Sequence, residues 1–539
     1  MSSSLRRLLT CLCHWDFEGS LVADDPADPD DQCKSFVVHL AGIISRRLLA
    51  DSMPCTAGRA ITIDDLPDDV LLAIFDIYVA ERQVLPDITD LIIRIGSRKR
   101  EIESWLSLVH VCQSWRGLVF ASPRRLDLRL CCTPVTSARM SLDIWPSLPL
   151  HIQALDTDGR SSETSVDNVI ATLQHSDRIR QIEIYLDPFT TLQIEMLWTA
   201  MQVPFPELID LKLEQYSSSY LPVLPDSFLR GSAPRLRSLG LISIPFPGIP
   251  KLLLSAPHLV QLRLRNIPDS GYISPEAMVT CLSALTSLEV LQLEFESPES
   301  CPDWETQPPF LPTRFVLPTL TEFRFKGTSE YLEEFVAGID APQVYKLSIT
   351  FFDDIHFDTP ELTQFISRTP TLGVYDEACL IFNDRQAVVT LSHPPKPPNH
   401  TRIVQVYALC QVSDWRLSSL TQICALSFRP LLTMENLYIY EDPYPHLDWG
   451  DDIEDTEWLN LLHPFSAVKD LYLSRQIAPR IAPALQELTG ERTTEVLPAL
   501  QNLFLEGFQA SEPVQEGIAR FISARQLTNQ PVVISVWDR

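Results

Sequence analysis

A set of side chains able to do chemistry on its own is hard to find in these 539 residues. The nearest is Cys11-Leu12-Cys13-His14, whose two thiols and imidazole could offer three ligands to a zinc ion. The twelve cysteines are otherwise scattered, apart from the adjacent Cys131 and Cys132, and no CxxC pair turns two thiolates toward one metal. Residues 11 to 14 therefore read as part of a frayed terminus. With 17 glycines the chain has neither a P-loop nor a GxGxxG turn, hence no backbone cradle for a phosphate or dinucleotide. GxSxG, HExxH and the EF-hand loop are missing as well, and the eleven histidines are dispersed. The expectation is a protein that is not an enzyme and takes neither a metal nor another cofactor.

Charge narrows the partners. Lys and Arg number 43 against 70 Asp and Glu, and the resulting net charge of −27 repels phosphate backbones and anionic membrane surfaces. Neither nucleic acid nor a membrane is expected as a partner. The acid is concentrated at 24–31 and 440–458, which read as solvated loops. Composition is that of a globular chain, 45% hydrophobic and 21% charged, with no apolar window long enough to span a bilayer. In "MSSSLRRLLTCLCHW", two arginines precede an apolar patch that Trp15 and Asp16 end well short of a signal-peptide core. A reducing compartment, cytoplasmic or nuclear, follows, and there the sequon Asn399-His400-Thr401 has no meaning.

What elements, then, does the chain position? Single cores stop growing at about 250 to 300 residues, so the length calls for several domains or for a repeat. In "ITIDDLPDDVLLAIFDIYVAERQ" Asp64 or Asp65 can cap a helix, Pro67 suits its first turn, and Asp68 and Asp69 complement its dipole. Val70, Leu71, Ile74, Phe75 and Tyr78 then make one broad apolar face, with Leu72 and Ile77 beyond it. A second stripe, Trp105, Leu108, Val109, Cys112 and Trp115, has helical spacing, and Val111, Leu118, Val119 and Phe120 overflow it. Two short helices cannot bury all of this against each other. The surplus faces either the rest of the chain or a partner.

The order of residue types favours the partner. Leu66-Pro67, Val70-Leu71, Ile74-Phe75, then Leu108-Val109, Val111-Cys112, Trp115 and Leu118 resembles the F-box, a small all-α module. The resemblance covers residues 61–122, with an inserted segment at 79–104 longer than that family's usual connection. It implies that Leu66, Pro67, Val70, Leu71, Ile74, Phe75, Leu108, Val109, Val111, Cys112, Trp115 and Leu118 serve docking on the Skp adaptor, and through it on a cullin-RING ubiquitin ligase. Residues 1–60 read as an N-terminal arm.

From 123 to 539 the chain repeats P-x-L-x-x-L-x-L: "PELIDLKL" from Pro206, "PRLRSLGL" from Pro234, "PHLVQLRL" from Pro257, "PTLTEFRF" from Pro318, "PQVYKLSI" from Pro342 and "PALQNLFL" from Pro498. The middle apolar positions, Ile182, Leu211, Leu239, Leu262, Leu291, Phe323 and Leu347, recur at 23 to 32 residues. An L-x-L pair alternates inward in a short strand, Pro ends what precedes it, and each unit needs neighbours to bury its ridge. The spacing resembles that of leucine-rich repeats. That family's Asn or Cys after the last Leu is replaced by Tyr216, Ile244, Ile267, Thr328, Phe352 and Phe508, so no Asn ladder can form. The expected fold is α/β: a small all-α module followed by an irregular solenoid, with parallel strands on a concave side and helices, such as 275–285 and 330–339, on the other. From 373 to 430 the pattern is disturbed, with the rigid "SHPPKPPNH" within it.

Together the two resemblances imply the substrate receptor of an SCF-type ubiquitin ligase, its repeats holding an unknown protein substrate. A non-catalytic scaffold outside any ligase is the alternative. Alternation places Lys212, Arg263, Arg265, Arg324, Lys326 and Lys346 on the strand face, six cations against the four acids Asp210, Glu214, Glu294 and Glu322. Such a face either prefers an acidic or phosphorylated segment or is a mixed solvated surface.

Overall fold

The computed structural model describes residues 66–83, 105–133, 142–154, 164–216, 222–298, 314–352, 359–393 apart from 374, 384 and 385, 402–409, 415–425, 431–442 apart from 432, 454–507 apart from 489, and 512–537. Residues 11–14, the arm at 1–60, Asp64, Asp65, the sequon and Phe508 lie outside them, as does most of both acidic runs. The chain divides into two compact units, Met1–Pro188 and Phe189–Arg539.

In the first unit, helix α1 spans Asp68–Gln83. The Pro67 carbonyl opens it by accepting from the amides of Val70 and Leu71, each at 3.0 Å. The helix starts one residue later than the sequence suggests and runs five residues into the segment read as an insertion, of which 84–104 lie outside the described residues. The stripe from Trp105 to Trp115 predicts one helix, but the structure has two, α2 at Leu106–Val109 and α3 at Gln113–Ala121. The break falls at Cys112, whose backbone is extended (φ −158°, ψ 169°) and whose Sγ accepts from the Trp115 amide at 3.5 Å. Arg116 Nε donates at 2.9 Å to the Val109 carbonyl that the break leaves open. Apolar spacing alone does not register such a cap, because the stripe in the sequence continues across Cys112.

Strands β1 (Leu130–Cys132), β2 (Leu150–Ala154) and β3 (Ile179–Tyr185) follow, with helix α4 (Thr164–Leu173) between the last two. All three pair in parallel, Ile152 opposite Ile182. The indole Nε1 of the fully buried Trp105 donates to the Arg129 carbonyl at 2.9 Å and so ties the helices to the first strand.

In the second unit α5 (Thr191–Ala200) precedes the strands β4 (Asp210–Glu214), β5 (Ser238–Ile242), β6 (Gln261–Ile267) and β7 (Val290–Phe295). Between them lie α6 (Ile249–Leu254) and α7 (Pro275–Leu282). A two-stranded side sheet joins β8 (Phe315–Val316) to β10 (Ile339–Asp340), while β9 (Glu322–Gly327) and β11 (Lys346–Phe351) extend the main sheet around α8 (Ser329–Ala337). The expected helices are present: Ser274 accepts from the Ala277 amide at 3.2 Å to start α7, and Thr328 accepts from the Tyr331 amide at 3.4 Å to start α8.

The repeat spacing is realised as register. Leu211 is the Cα partner of Leu239, Leu239 of Leu262, Leu262 of Leu291, Leu291 of Phe323, and Phe323 of Leu347. All six side chains are buried, beneath the helices. Aromatic rings fill part of this interior. Tyr331 lies 4.7 Å from Phe295 and 5.8 Å from Phe325, ring centroid to centroid, and its hydroxyl donates to the Ile273 carbonyl at 3.0 Å.

After α9 (Pro360–Arg368) come β12 (Glu377–Phe382), β13 (Gln386–Ser392) and β14 (Ile403–Leu409), then α10 (Trp415–Ala425) and β15 (Asn436–Glu441). Here the sheet order is β11-β14-β13-β12-β15, with both β13 pairings antiparallel. The expectation of parallel strands throughout is therefore corrected. The chain steps past two strand positions, folds back as a meander, and leaves again by α10. The disturbed stretch is this reversal, and the sheet runs through it without a gap. Parallel pairing then resumes through β16 (Asp470–Leu473), β17 (Asn502–Glu506) and β18 (Val533–Trp537), backed by α11 (Asp455–Leu462), α12 (Ala478–Gln486) and α13 (Glu512–Leu527).

Candidate functional site

The adaptor-docking residues suggested by the sequence gather on α1 to α3 but do not share one exposure. Leu66, Leu71, Phe75, Leu108, Val109 and Trp115 are buried. Phe75 and Trp115 meet with ring centroids 4.6 Å apart and form the contact between α1 and α3. These six supply local core and cannot themselves be a contact surface in this arrangement. Val70, Ile74 and Ile77, at i, i+4 and i+7, stay half-buried along one side of α1, as do Val111, Cys112 and Leu118, while Pro67 is exposed. The two doublets Val70-Leu71 and Ile74-Phe75 each divide the same way, first residue outward and second inward.

On the second unit, every other strand residue faces away from the helices. One row of Cα partners runs Lys212, Gly240, Arg263, Gln292, Arg324, Ser348, then Gln405, Thr390, Cys379, Tyr438, Tyr472, Phe504 and Ser535. The six candidate cations are thus brought to one face, though mostly into pairs. Lys212 meets Glu214 at 2.9 Å, Arg265 meets Glu294 at 3.2 Å, and Glu322 takes Lys346 at 3.2 Å and Arg324 at 3.9 Å. Lys326 stands 5.2 Å from the Phe352 ring centroid, and Arg263 is exposed. Cations already matched to carboxylates two residues away or one strand over make a mixed, self-neutralised surface. Of the two readings the sequence left open, this geometry favours the solvated one over an acidic-segment site. Glu214, which alternation places on this face, is itself buried beside Lys212.

The far end of the same row holds what the sequence reading missed. Tyr438 stacks on Tyr472 at 4.3 Å and 14°, and Tyr472 on Phe504 at 4.3 Å and 6°. Trp537 closes against both tyrosines edge-on, at 6.1 and 5.5 Å, its Nε1 donating to the Leu473 carbonyl at 3.2 Å. Burial pushes the Tyr438 hydroxyl up to about 12, helped by the charges of Tyr472 and Glu377; Tyr472 is raised too, by burial and then by Asp470. The available signal was the aromatic residue between the two apolar positions in "NLYIY", "DLYL" and "NLFL".

Among the described residues no three His, Cys, Asp or Glu side chains are grouped to hold a metal ion, and no helix is long and apolar enough to cross a membrane. No family model matches the chain, and no curated protein does. Among solved structures, it is similar to the leucine-rich repeat-containing protein LegL7 from Legionella pneumophila, at 13% identity and a TM-score of 0.26 over 75% of this chain and 99% of that one.

Proposed function

We propose that the chain is the substrate receptor of an SCF-type ubiquitin ligase, acting in the cytoplasm or nucleus, with catalysis left to other subunits. The helices of the first unit dock on the Skp adaptor, and the strand face of the second unit holds a protein substrate. The observation that supports this most is the half-buried stripe of Val70, Ile74 and Ile77 beside a Phe75–Trp115 core, in helices whose residue order resembles the F-box. A short helical element with a complete core and a surplus apolar edge is suited to a partner helix. The strand face adds a broad array of solvent-facing side chains on a rigid sheet. Co-purification of the full chain with the adaptor under proteasome inhibition tests both halves. Adaptor and cullin should be recovered together with a modified partner. Recovery of a partner without adaptor would leave the scaffold reading instead.

A further inference from the structure

The aromatic ladder on the strand face is oddly placed for a purely structural stack. The opposite face of the same three strands buries the aliphatic side chains of Leu437, Ile439, Leu471, Leu473, Leu503 and Leu505. The rings of Tyr438, Tyr472 and Phe504 stand on the outer face, half-buried against one another and, for the two tyrosines, against Trp537. Stacking covers their inner faces. The two outer faces border small residues, since Cys379 is the Cα partner of Tyr438 and Ser535 that of Phe504. A small side chain thus stands beside each outermost ring, one strand spacing, roughly 4.8 Å, away.

Carboxylates line one side. Glu377 lies two residues before Cys379 on β12, and Asp470 two before Tyr472 on β16; both act on the tyrosine hydroxyls. Among the described residues neither is ion-paired, Asp470 accepting only the Asn502 amide at 2.6 Å. This contrasts with the other half of the face, where Glu214, Glu294 and Glu322 each hold a cation. An aromatic π face beside an unneutralised carboxylate attracts a cation doubly, by ring quadrupole and by charge. The net charge of −27 draws such a partner in from a distance.

We propose that this ladder is a docking strip for an arginine- or lysine-bearing segment of a protein partner, its cation seated on the outer face of Tyr438 over Cys379, within reach of Glu377. The proposal deepens the reading of the second unit as the substrate-binding part and does not depend on adaptor docking. It reverses the acidic preference that counting cations on the face would suggest.

The test uses the full chain and a fluorescent peptide of repeated Gly-Ser-Arg triplets, with versions carrying Gln or Glu in place of Arg. Anisotropy should show binding of the Arg peptide and at least about tenfold weaker binding of the Gln and Glu peptides. Glu377→Gln should weaken the Arg peptide by about fivefold, and Cys379→Arg, which puts a cation of the chain's own beside the outer face of Tyr438, should abolish binding. Tyr438→Leu should weaken it comparably while thermal unfolding is followed to confirm the fold, and Glu516→Gln on α13 should change nothing. Equal binding of the Gln peptide, preference for the Glu peptide, no binding of the Arg peptide, or indifference to both Glu377→Gln and Cys379→Arg overturns the proposal. Adaptor binding by the same variants is measured in parallel. If the adaptor fails to bind while the Arg peptide behaves as expected, only the ligase reading falls.

Discussion

If the half-buried edge of α1 is a docking surface, replacing Val70 and Ile74 together by Ala should weaken adaptor binding without harming the fold. Full burial of a Val or Ile side chain is worth about 1.5–3 kcal/mol. Part of each is already covered in the free chain, so docking gains roughly 1 kcal/mol per residue from what remains. Losing both costs about 2 kcal/mol, or about a 30-fold rise in Kd, at 1.4 kcal/mol per factor of ten. Stability should barely move, since substitutions at half-exposed helix positions usually fall within about 0.5 kcal/mol and Ala is the best helix former. The contrast is Phe75→Ala, one position further on. Phe75 is fully buried against Trp115, and its truncation should cost about 3–5 kcal/mol of stability. Titration calorimetry with purified adaptor, beside urea unfolding of each variant, separates the effects. An unchanged Kd for the folded Val70→Ala/Ile74→Ala chain refutes the docking face. Unfolding of that double variant as severe as that of Phe75→Ala refutes the assignment of inside and outside.

Three further outcomes follow from the second unit. Gly327→Ala should destabilise by about 1–3 kcal/mol in urea unfolding, because the added Cβ would sit 2.6 Å from Phe325 Cζ and 3.0 Å from Phe295 Cδ2 inside the packed aromatic cluster. Arg525 is fully buried and donates to the Thr493 and Leu497 carbonyls at 3.3 and 2.7 Å and to Gln530 at 2.9 Å. Arg525→Met removes these three hydrogen bonds, leaving the Leu497 carbonyl to the Leu500 amide at 3.1 Å, and should cost roughly 2–4 kcal/mol, with Lys a poor rescue because it lacks the planar fork. Tyr438, held protonated to about 12, ionises near 10 in the unfolded chain. The folded state therefore binds the proton more tightly, so this contribution to stability is complete below pH 10 and is lost as pH rises from 10 to 12. Tyrosinate absorbance against pH should show a late-titrating group that moves to about 10 on unfolding, and its absence would contradict the burial of the ladder.

Much of the second unit is legible in the chain. The middle apolar positions of the repeats become Cα partners strand after strand, and a slip of one residue would turn each buried row to the outer face. The helices expected at 275–285 and 330–339 are found at Pro275–Leu282 and Ser329–Ala337. The meander of β12, β13 and β14 is not legible, since strand order there is a choice among distant pairings that all satisfy alternation.

In α1 the sequence determined a helix with apolar doublets at Val70-Leu71 and Ile74-Phe75, and no local rule says which member of each points inward. Trp115 decides it, because the ring that meets Phe75 at 4.6 Å sets the helix rotation and leaves Val70 and Ile74 on the outer edge. The strand face shows the same division. Alternation places the cations and the tyrosines outward, which the chain states residue by residue. Only the packed sheet brings Lys346 to Glu322, and Tyr438, Tyr472 and Phe504, more than thirty residues apart in turn, into one stack. Charge neutralisation and ring stacking are both properties of neighbours, and neighbours across strands exist only after folding.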